Sequence, residues 1–160
     1  MMNINEEIIN KFGNHLRLRP SGIVVSGNAV LLIKHSSLNA AGTFWSPPGG
    51  GLEFGESITS CLEREFLEET HLKITVGKFL CVYEYLQNPL HAVELFFHCH
   101  IVEGAIKLGH DPELRSDLQI IQELKFMDFD TIKSLEPDLI HPIFHRISSI
   151  SQLLEPRGLV

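Results

Sequence analysis

The chain lacks the features that mark membrane-spanning, secreted and disulfide-rich proteins. No apolar run in its 160 residues approaches the length of a membrane span. Near the N-terminus, Glu6 and Glu7 stand where a signal peptide would be basic and then apolar. The only cysteines are Cys61, Cys81 and Cys99, which lie far apart and form no CxxC pair. An odd set of unpaired thiols is typical of a reducing compartment, so we expect a cytoplasmic protein without a membrane partner.

Positive charge is also scarce. The chain carries 13 Lys and Arg against 20 Asp and Glu, for a formal net charge of −7. Non-specific nucleic-acid binding needs a basic stripe, so a stable nucleic-acid partner is not expected. An anionic small-molecule substrate would need either a local cluster of basic side chains or a bound metal ion to supply positive charge.

The remaining composition is that of an ordinary globular protein, with 44% hydrophobic and 21% charged residues. The chain contains no internal repeat, low-complexity tract or linker. We therefore expect a single domain over residues 1–160, with a short N-terminal extension over residues 1–16. Strand patterns mixed with a few helical ones favour an α/β or α+β sandwich.

Hydrophobic periodicity and turn residues predict the elements. Helices are predicted at 5–12, 58–70, 130–135 and 142–154, and strands at 17–25, 29–35, 43–45, 73–76, 79–86, 91–102 and 123–127. Ser26-Gly27-Asn28 predicts a hairpin between the first two strands, and residues 104–118 are expected to form a loop. The predicted strand 91–102 alternates. Every second residue from Val93 to Ile101 is predicted to lie on one face. The opposite face is more polar and carries Glu94, Phe96, His98 and His100.

Residues 50–72, with the sequence GGLEFGESITSCLEREFLEETHL, carry the most chemical information. Glu65, Glu68 and Glu69 follow an i, i+3, i+4 spacing on the predicted helix 58–70, so they gather within an arc of roughly 100°. Like charges placed this way repel by roughly 0.2–0.5 kcal/mol per pair. A hard divalent cation turns that repulsion into attraction. The pattern therefore predicts a Mg²⁺ or Mn²⁺ site for phosphate chemistry.

The same stretch resembles the signature of the Nudix hydrolases at all but one of its specified positions. The matching residues are Gly50, Glu56, Arg64, Glu65, Phe66, Glu68, Glu69 and Leu72. The upstream Trp45 and the run from Pro48 to Gly50 are also similar to the family. The exception is His71, where the family has glycine. We expect His71 to end the helix in the left-handed region at a cost of about 1 kcal/mol, without loss of a metal ligand.

The resemblance implies a Nudix-type α/β/α sandwich with a mixed central β-sheet. It implies a metal-dependent pyrophosphohydrolase that cleaves a nucleoside diphosphate linked to another moiety, so the partner is a small-molecule nucleotide. The implied cofactor is Mg²⁺ or Mn²⁺, held by Gly50 through its carbonyl and by Glu65, Glu68 and Glu69. Many members of the family are dimers, so the resemblance also allows a homodimer, although no segment marks an interface.

The resemblance further assigns catalytic roles to Glu56, Arg64, Glu65, Glu68 and Glu69. Arg64 is expected to pair with a neighbouring glutamate and hold its rotamer. Glu56 either orients the loop against the helix or reaches the metal through water. The general base is one of the glutamates of residues 50–72 or an acid on a later segment, and the sequence leaves that choice open among Asp111, Glu113 and Glu123.

Substrate contacts are less sharply indicated. Arg19, Lys34 and Glu113 are the candidate substrate-binding residues. The cations Arg17, Arg19 and Lys34 either reach substrate phosphates or are surface charges. Aromatic residues that either stack on a base or belong to the core are Phe44, Trp45, Tyr83 and Tyr85. His98 and His100 face one way on a strand, but no further ligands are spaced to join them, so we interpret them as a polar strand face rather than a zinc site.

Two questions stay open at this level. The substrate is a nucleoside diphosphate sugar such as ADP-ribose, a nucleoside triphosphate or a dinucleoside polyphosphate. Pro89 lies near the position of a proline that ADP-ribose-type members carry, and the loop 104–118 has the length to shape specificity. The alternative function is a Nudix-fold ligand sensor or scaffold without turnover. Such proteins typically lose the glutamates of the signature, and their presence here favours the enzyme.

Overall fold

Helices and strands follow one another in the order expected for an α+β protein. The computed structural model describes residues 3–112, 114 and 116–160. The helices are α1 Ile4–Phe12, α2 Ile58–Thr70, α3 Phe129–Ser134 and α4 Ile150–Leu153. The strands are β1 Leu16–Ile23, β2 Val25–Ser26, β3 Ala29–Ser36, β4 Thr43–Ser46, β5 Lys73–Gln87, β6 Leu90–Glu103, β7 Ile121–Asp128 and β8 Gly158–Leu159. Within the described ranges, no helix is long and apolar enough to cross a membrane.

The strands form two sheets. The first has the order β1-β6-β5-β8, in which β1 runs parallel to β6, β5 runs antiparallel to β6, and β8 runs parallel to β5. The second is centred on β3, which pairs antiparallel with β2, β4 and β7. The expected mixed sheet is therefore confirmed.

Two apolar clusters place α2 on one side of the sheets and α3 and α4 on the other. Leu62 and Phe66 of α2 pack with Leu31 of β3 and Cys99 of β6. The other cluster joins α3, α4 and the segment between them to the opposite side, through Ile132, Phe144, Leu153, Val30, Leu32 and Phe96. Neighbouring residues of β3 thus point into different clusters, as strand geometry requires. The result is the expected α/β/α layering.

The predicted strand 17–25 is wrong as a single element. It breaks at Val24, so that β1 ends in the first sheet and β2 begins the second. The hairpin is confirmed, because β2 pairs with β3 across the turn at residues 26–29. Residues 20–24 are all buried where the chain passes from one sheet to the other, and continuous burial removes the alternation that would have marked the break.

The predicted helix 142–154 is also wrong. A single 3₁₀ turn covers Pro142–Phe144, and α4 begins only at Ile150, capped by Ser149, whose Oγ accepts the Gln152 N–H at 3.1 Å. Of the apolar residues that suggested one helix, Ile143 and Ile147 are buried in the core, and Ile150 and Leu154 pack against it without a continuous helix. Conversely, the predicted strands 73–76 and 79–86 form one strand, β5, with an irregularity between Val76 and Phe79.

The polar face predicted for strand 91–102 is wrong in its first half. Glu94 and Phe96 are buried at 4% and 1% exposure, on the face that was expected to be polar. Further along β6, Cys99 is buried on the other face, in the cluster of α2. Because both faces of this sheet are covered at different points, alternation alone could not identify the buried one. Glu94 thus becomes a buried carboxylate next to the candidate site.

Candidate active site

The loop between β4 and α2 is laid directly on β1. The Gly22 N–H donates to the Pro48 carbonyl at 2.9 Å, and the Gly50 N–H donates to the Pro20 carbonyl at 3.2 Å. Gly49 has a φ of +154°, and a side chain there would overlap the Pro20 carbonyl oxygen. Only glycine allows this close backbone approach. The loop therefore holds its peptide groups between β1 and the start of α2.

Helix α2 has the predicted limits, and both ends are explained by local contacts. Ser57 caps the N-terminus, with its Oγ accepting the Ser60 N–H at 3.1 Å. His71 ends the helix with φ 59° and ψ 20°, and its N–H donates to the Leu67 carbonyl. The left-handed histidine expected at the family's glycine position is therefore present. Burial of Leu62 and Phe66 turns the acidic side of the helix toward the glycine loop.

Arg64 links the acids of this region. Its Nε and Nη2 donate to the two carboxylate oxygens of Glu56 at 2.8 and 3.0 Å. Its Nη1 donates to Glu65 at 2.8 Å and to Glu68 at 3.4 Å. The guanidinium also reaches the Gly51 carbonyl at 3.3 Å. The expected single pairing is in fact a shared one, since one cation holds three carboxylates and the loop.

Glu56 is held as a structural partner of Arg64. Its hydrogen bonds with Arg64 are the largest influence on the carboxyl group, and they lower the pKa of Glu56. Glu56 also accepts the Glu53 N–H at 3.2 Å. Of the two roles expected for Glu56, these contacts match orientation of the loop against the helix.

The partly buried Glu65 and the buried Glu69 both have raised pKa values. Burial raises the pKa of Glu65 to about 6, with Arg64 acting in the opposite direction. Burial, followed by the charge of Glu65, raises the pKa of Glu69 well above its usual range, although its carboxylate accepts the Gly49 N–H at 3.1 Å. A nearby positive charge would therefore stabilise the ionised form of both carboxylates.

The donor chemistry of this cluster fits a hard divalent cation. The oxygens come from the carboxylates Glu65, Glu68 and Glu69 and from the glycine-loop carbonyls, which Mg²⁺ and Mn²⁺ prefer. Within the part of the chain that the structure describes, no three His, Cys, Asp or Glu side chains are yet arranged around an ion position. In this arrangement, Arg64 Nη1 donates to one carboxylate oxygen of Glu65 and to one of Glu68.

A later segment docks onto the end of α2. Backbone N–H groups at 107, 109 and 110 donate to the carbonyls of Thr70, Glu69 and Glu68 at 3.1, 2.8 and 3.2 Å. These are carbonyls that a helix end leaves without partners. A side chain at Gly109 would overlap the Glu68 carbonyl oxygen, so this position requires glycine. The docking brings the segment against the acidic helix.

The docked segment delivers Asp111 to the same cavity as Glu65, Glu68 and Glu69. Gln119 holds the Asp111 backbone on both sides, by accepting its N–H at 2.7 Å and donating to its carbonyl at 3.0 Å. The other acids considered from the sequence are placed differently. Glu123 is half-exposed and pairs with Lys125 at 2.9 Å, and Glu113 lies outside the described residues.

The cavity has a volume of about 380 Å³. An anionic substrate of this acidic chain would need a local cluster of basic side chains, and the cavity wall provides one. Basic side chains gather along its wall beside the acids, namely Lys11, Arg17, Arg19 and Arg64. Arg19 donates to the Gly49 carbonyl and to Glu94, both at 3.2 Å. Lys34 is not among the lining residues described, and its Nζ lies 5.9 Å from the Trp45 ring. Of the three cations considered for substrate contacts, the fold brings Arg17 and Arg19 to the acids.

Sequence reasoning missed the partners of Arg19. Glu94 accepts from Arg19 with one carboxylate oxygen, and its other oxygen lies 2.6 Å from His141 Nε2. His141 Nδ1 accepts the Ile143 N–H at 3.2 Å, so Nε2 carries the proton that is donated to Glu94. Burial would raise the pKa of Glu94, but His141 and Arg19 outweigh it and the pKa is lowered. The sequence feature that could have identified Glu94 is that it is a lone acid within an apolar strand.

The four aromatic candidates separate by position. Phe44 and Tyr85 line the cavity, whereas Trp45 is buried at 6% exposure in the core. Tyr83 packs on the His141 ring with centroids 4.9 Å apart. Phe44 and Tyr85 are thus the two that a substrate base can reach.

These features coincide with a known domain family. A family model described as the NUDIX domain matches residues 16–146. The chain belongs to the NUDIX family. The resemblance drawn from residues 50–72 is therefore confirmed, together with the enzyme class, which is that of the Nudix hydrolases.

Individual relatives agree with this membership. The chain is 30% identical over 126 residues to an ADP-ribose pyrophosphatase of Methanocaldococcus jannaschii, and the match spans 78% of this chain and 69% of that one. It is 28% identical over 125 residues to the m7GpppN-mRNA hydrolase NUDT17 of Danio rerio, over 71% of this chain and 42% of that protein. A solved NUDIX hydrolase from Nitrosomonas europaea has the same fold, with a TM-score of 0.67 at 19% identity over 82% and 85% of the two chains.

Proposed function

We propose that this Nudix hydrolase is a metal-dependent pyrophosphohydrolase that cleaves a nucleoside diphosphate linked to a second moiety, with ADP-ribose or a related nucleoside diphosphate sugar as substrate. The observation that carries the proposal is the meeting of acidic and basic side chains in one cavity beside the glycine loop. The similarity to an ADP-ribose pyrophosphatase supports the substrate class. Phe44 and Tyr85 at the cavity wall support a nucleotide, because aromatic faces stack on bases.

The acids of α2 would hold the metal. Glu65, Glu68 and Glu69, with the Gly50 carbonyl, are the proposed ligands, and Mg²⁺ or Mn²⁺ bound there would neutralise pyrophosphate charge and lower the pKa of the attacking water. Arg64 positions Glu65 through their 2.8 Å hydrogen bond, and Glu56 fixes the guanidinium in turn. Arg19 lies beside the Gly49 carbonyl, where it can bind a substrate phosphate.

Asp111 is the proposed general base. Among the described residues of the later segment, it is the acid that lines the cavity with the glutamates of α2, and Gln119 fixes its backbone. Its carboxylate would take the proton released as water attacks phosphorus. We expect Asp111→Asn to lower kcat by about 100-fold or more while the protein stays folded. Asp117→Asn is the matched control, since Asp117 is exposed in the same region, and an equal loss in both variants would reject the assignment.

A substrate panel tests the function as a whole. The purified protein is incubated with Mg²⁺ or Mn²⁺ and with nucleoside diphosphate sugars, nucleoside triphosphates and dinucleoside polyphosphates, and the products are identified. We expect ADP-ribose to yield AMP and ribose 5-phosphate faster than the other classes react. Tight binding of a nucleotide without hydrolysis of any panel member would instead favour a sensor or scaffold.

Two broader expectations remain proposals. The thiols of Cys61, Cys81 and Cys99 are free and buried, which supports a reducing compartment such as the cytoplasm. A homodimer is proposed only because many members of the family are dimers. Sedimentation of the purified protein would test the oligomeric state.

A further inference from the structure

The N-terminal helix forms part of the cavity wall. Helix α1 lies outside residues 16–146, which the family model matches, so it is a feature of this chain beyond that match. Its docking is well defined, because Ile8 is 4% exposed and the Asn14 N–H donates to the Pro89 carbonyl at 2.8 Å. Lys11 and Phe12 line the same cavity as the acids of α2. The extension therefore contributes directly to the site.

Phe12 holds the guanidinium of Arg17. The Cζ atom of Arg17 lies 4.2 Å from the centroid of the Phe12 ring, which is the geometry of a cation–π contact. The face of the guanidinium is engaged in this stacking, whereas hydrogen bonds to a phosphate use its edge. Both interactions can therefore be made by the same side chain at the same time.

Arg17 and Arg19 stand side by side along the glycine loop. They are two residues apart on β1, so their side chains project from the same face of the strand. Arg19 Nη2 lies 3.2 Å from the Gly49 carbonyl oxygen, and Arg17 Nη2 lies 3.4 Å from the position that a Cβ on Gly51 would take. Both line the cavity with Glu65 and Glu68. Two guanidinium groups thus flank the loop beside the acids.

We propose that Arg17 binds the diphosphate of the substrate and that Phe12 is the residue that positions Arg17 for this contact. The inference rests on the proposed function and deepens it, since it assigns the N-terminal helix a part in recognising the diphosphate group. Basic residues are scarce in this chain, with 13 Lys and Arg in total, and the fold gathers Arg17 with Arg19 at the place where a diphosphate has to meet the acids.

Binding of a probe that is not cleaved tests this directly. α,β-Methylene-ADP and adenosine are titrated into the full chain with Mg²⁺ by calorimetry. We expect Arg17→Gln to weaken α,β-methylene-ADP about tenfold or more, because charge-assisted hydrogen bonds to the diphosphate are lost. Adenosine, which has no phosphate, should bind the variant and the wild type equally.

The role of Phe12 is tested by conservative replacement. Phe12→Leu keeps apolar packing but removes the ring, so α,β-methylene-ADP should bind about two- to fivefold more weakly. Phe12→Tyr retains the aromatic face and should restore binding. Arg146→Gln is the charge-matched control, because Arg146 is exposed and is not among the described residues of the cavity wall. Circular dichroism confirms that each variant is folded.

The outcomes separate this inference from the proposed function. Unchanged diphosphate affinity in Arg17→Gln, an equal loss in Arg146→Gln, failure of Phe12→Tyr to restore binding or absence of binding by the wild type would each overturn the inference. If the wild type hydrolyses nothing on the substrate panel while Arg17→Gln still loses affinity selectively for the diphosphate, the proposed function fails and the diphosphate subsite stands. In turnover assays, the Arg17→Gln defect should appear in KM more than in kcat.

Discussion

The carboxylate of Glu65 occupies the space that a side chain at Gly50 would need. The Gly50 N–H donates to Pro20, so the loop is held in place and has little freedom to retreat from the helix. The glycine is therefore required by the close approach of the loop to α2. This approach also brings the Gly50 backbone and the Glu65 oxygens together, which is the arrangement proposed for the metal ligands.

Gly50→Ala tests this relationship. A methyl group at position 50 should displace Glu65, and we expect affinity for Mg²⁺ and kcat each to fall by about 10- to 100-fold. Gly51→Ala is the control, since the nearest atom to an added Cβ there is Arg17 Nη2 at 3.4 Å. Calorimetric titration with Mg²⁺ measures both variants. Equal metal affinity in Gly50→Ala and Gly51→Ala would show that the closeness of Gly50 and Glu65 has no bearing on the site.

Glu68→Gln is expected to separate catalysis from stability. The substitution removes a proposed metal ligand, so kcat should fall by about 100-fold or more. The metal-free protein should lose less than about 1 kcal/mol in its free energy of unfolding, because the Glu68–Arg64 pair is partly exposed and a repelling charge is relieved. Glu63→Gln on the exposed side of the same helix should leave kcat unchanged. Unfolding of Glu68→Gln, with full activity per folded molecule, would make Glu68 a structural residue.

His71→Gly should stabilise the protein. His71 has φ 59°, a conformation that glycine adopts without the steric cost of a Cβ. We expect the free energy of unfolding to rise by about 0.5–1 kcal/mol, measured by urea denaturation, with kcat unchanged. Asn14, at φ 60°, provides a comparison, since asparagine tolerates this region and Asn14→Gly should gain less. A loss of stability in His71→Gly would mean that the imidazole makes a compensating contact.

His35 should make the folded protein sensitive to acid. Burial and the charge of Arg19 lower the pKa of His35 to about 3, with Glu94 acting in the opposite direction. Its Nε2 atom is buried without a hydrogen-bond partner among the described residues. Between pH 6.5 and pH 3, His35 is therefore protonated in the unfolded chain but neutral in the folded chain. The contribution of His35 to stability is complete above pH 6.5 and is lost as the pH falls toward 3.

His35→Gln removes this titration. Between pH 6.5 and pH 5, the free energy of unfolding of the wild type should fall by about 1–2 kcal/mol more than that of the variant. The difference between the two proteins should stay constant above pH 7.5, which provides the internal control. Parallel pH profiles throughout the acidic range would contradict the lowered pKa.

Interactions between residues close in sequence were predictable. The limits of α2, its Ser57 cap, the left-handed His71 and the pairing of Arg64 with nearby glutamates all follow from spacing along one helix and its preceding loop. The longest of these contacts, between Arg64 and Glu56, spans eight residues. Helical periodicity fixes which side chains share a face, so residue identity at short range was sufficient to predict this part of the site.

Only the tertiary structure decided which distant residues join that site. Arg19 meets Glu94 across 75 residues and Glu94 meets His141 across 47, because strand pairing and core packing bring their elements together. The same packing places Lys34 beside Trp45 and docks the segment before Asp111 onto α2. The sequence by itself determined the acidic helix and its chemistry. The arrangement of cations and later acids around it depended on sheet register and on burial of both faces, which leave no short-range signal in the chain.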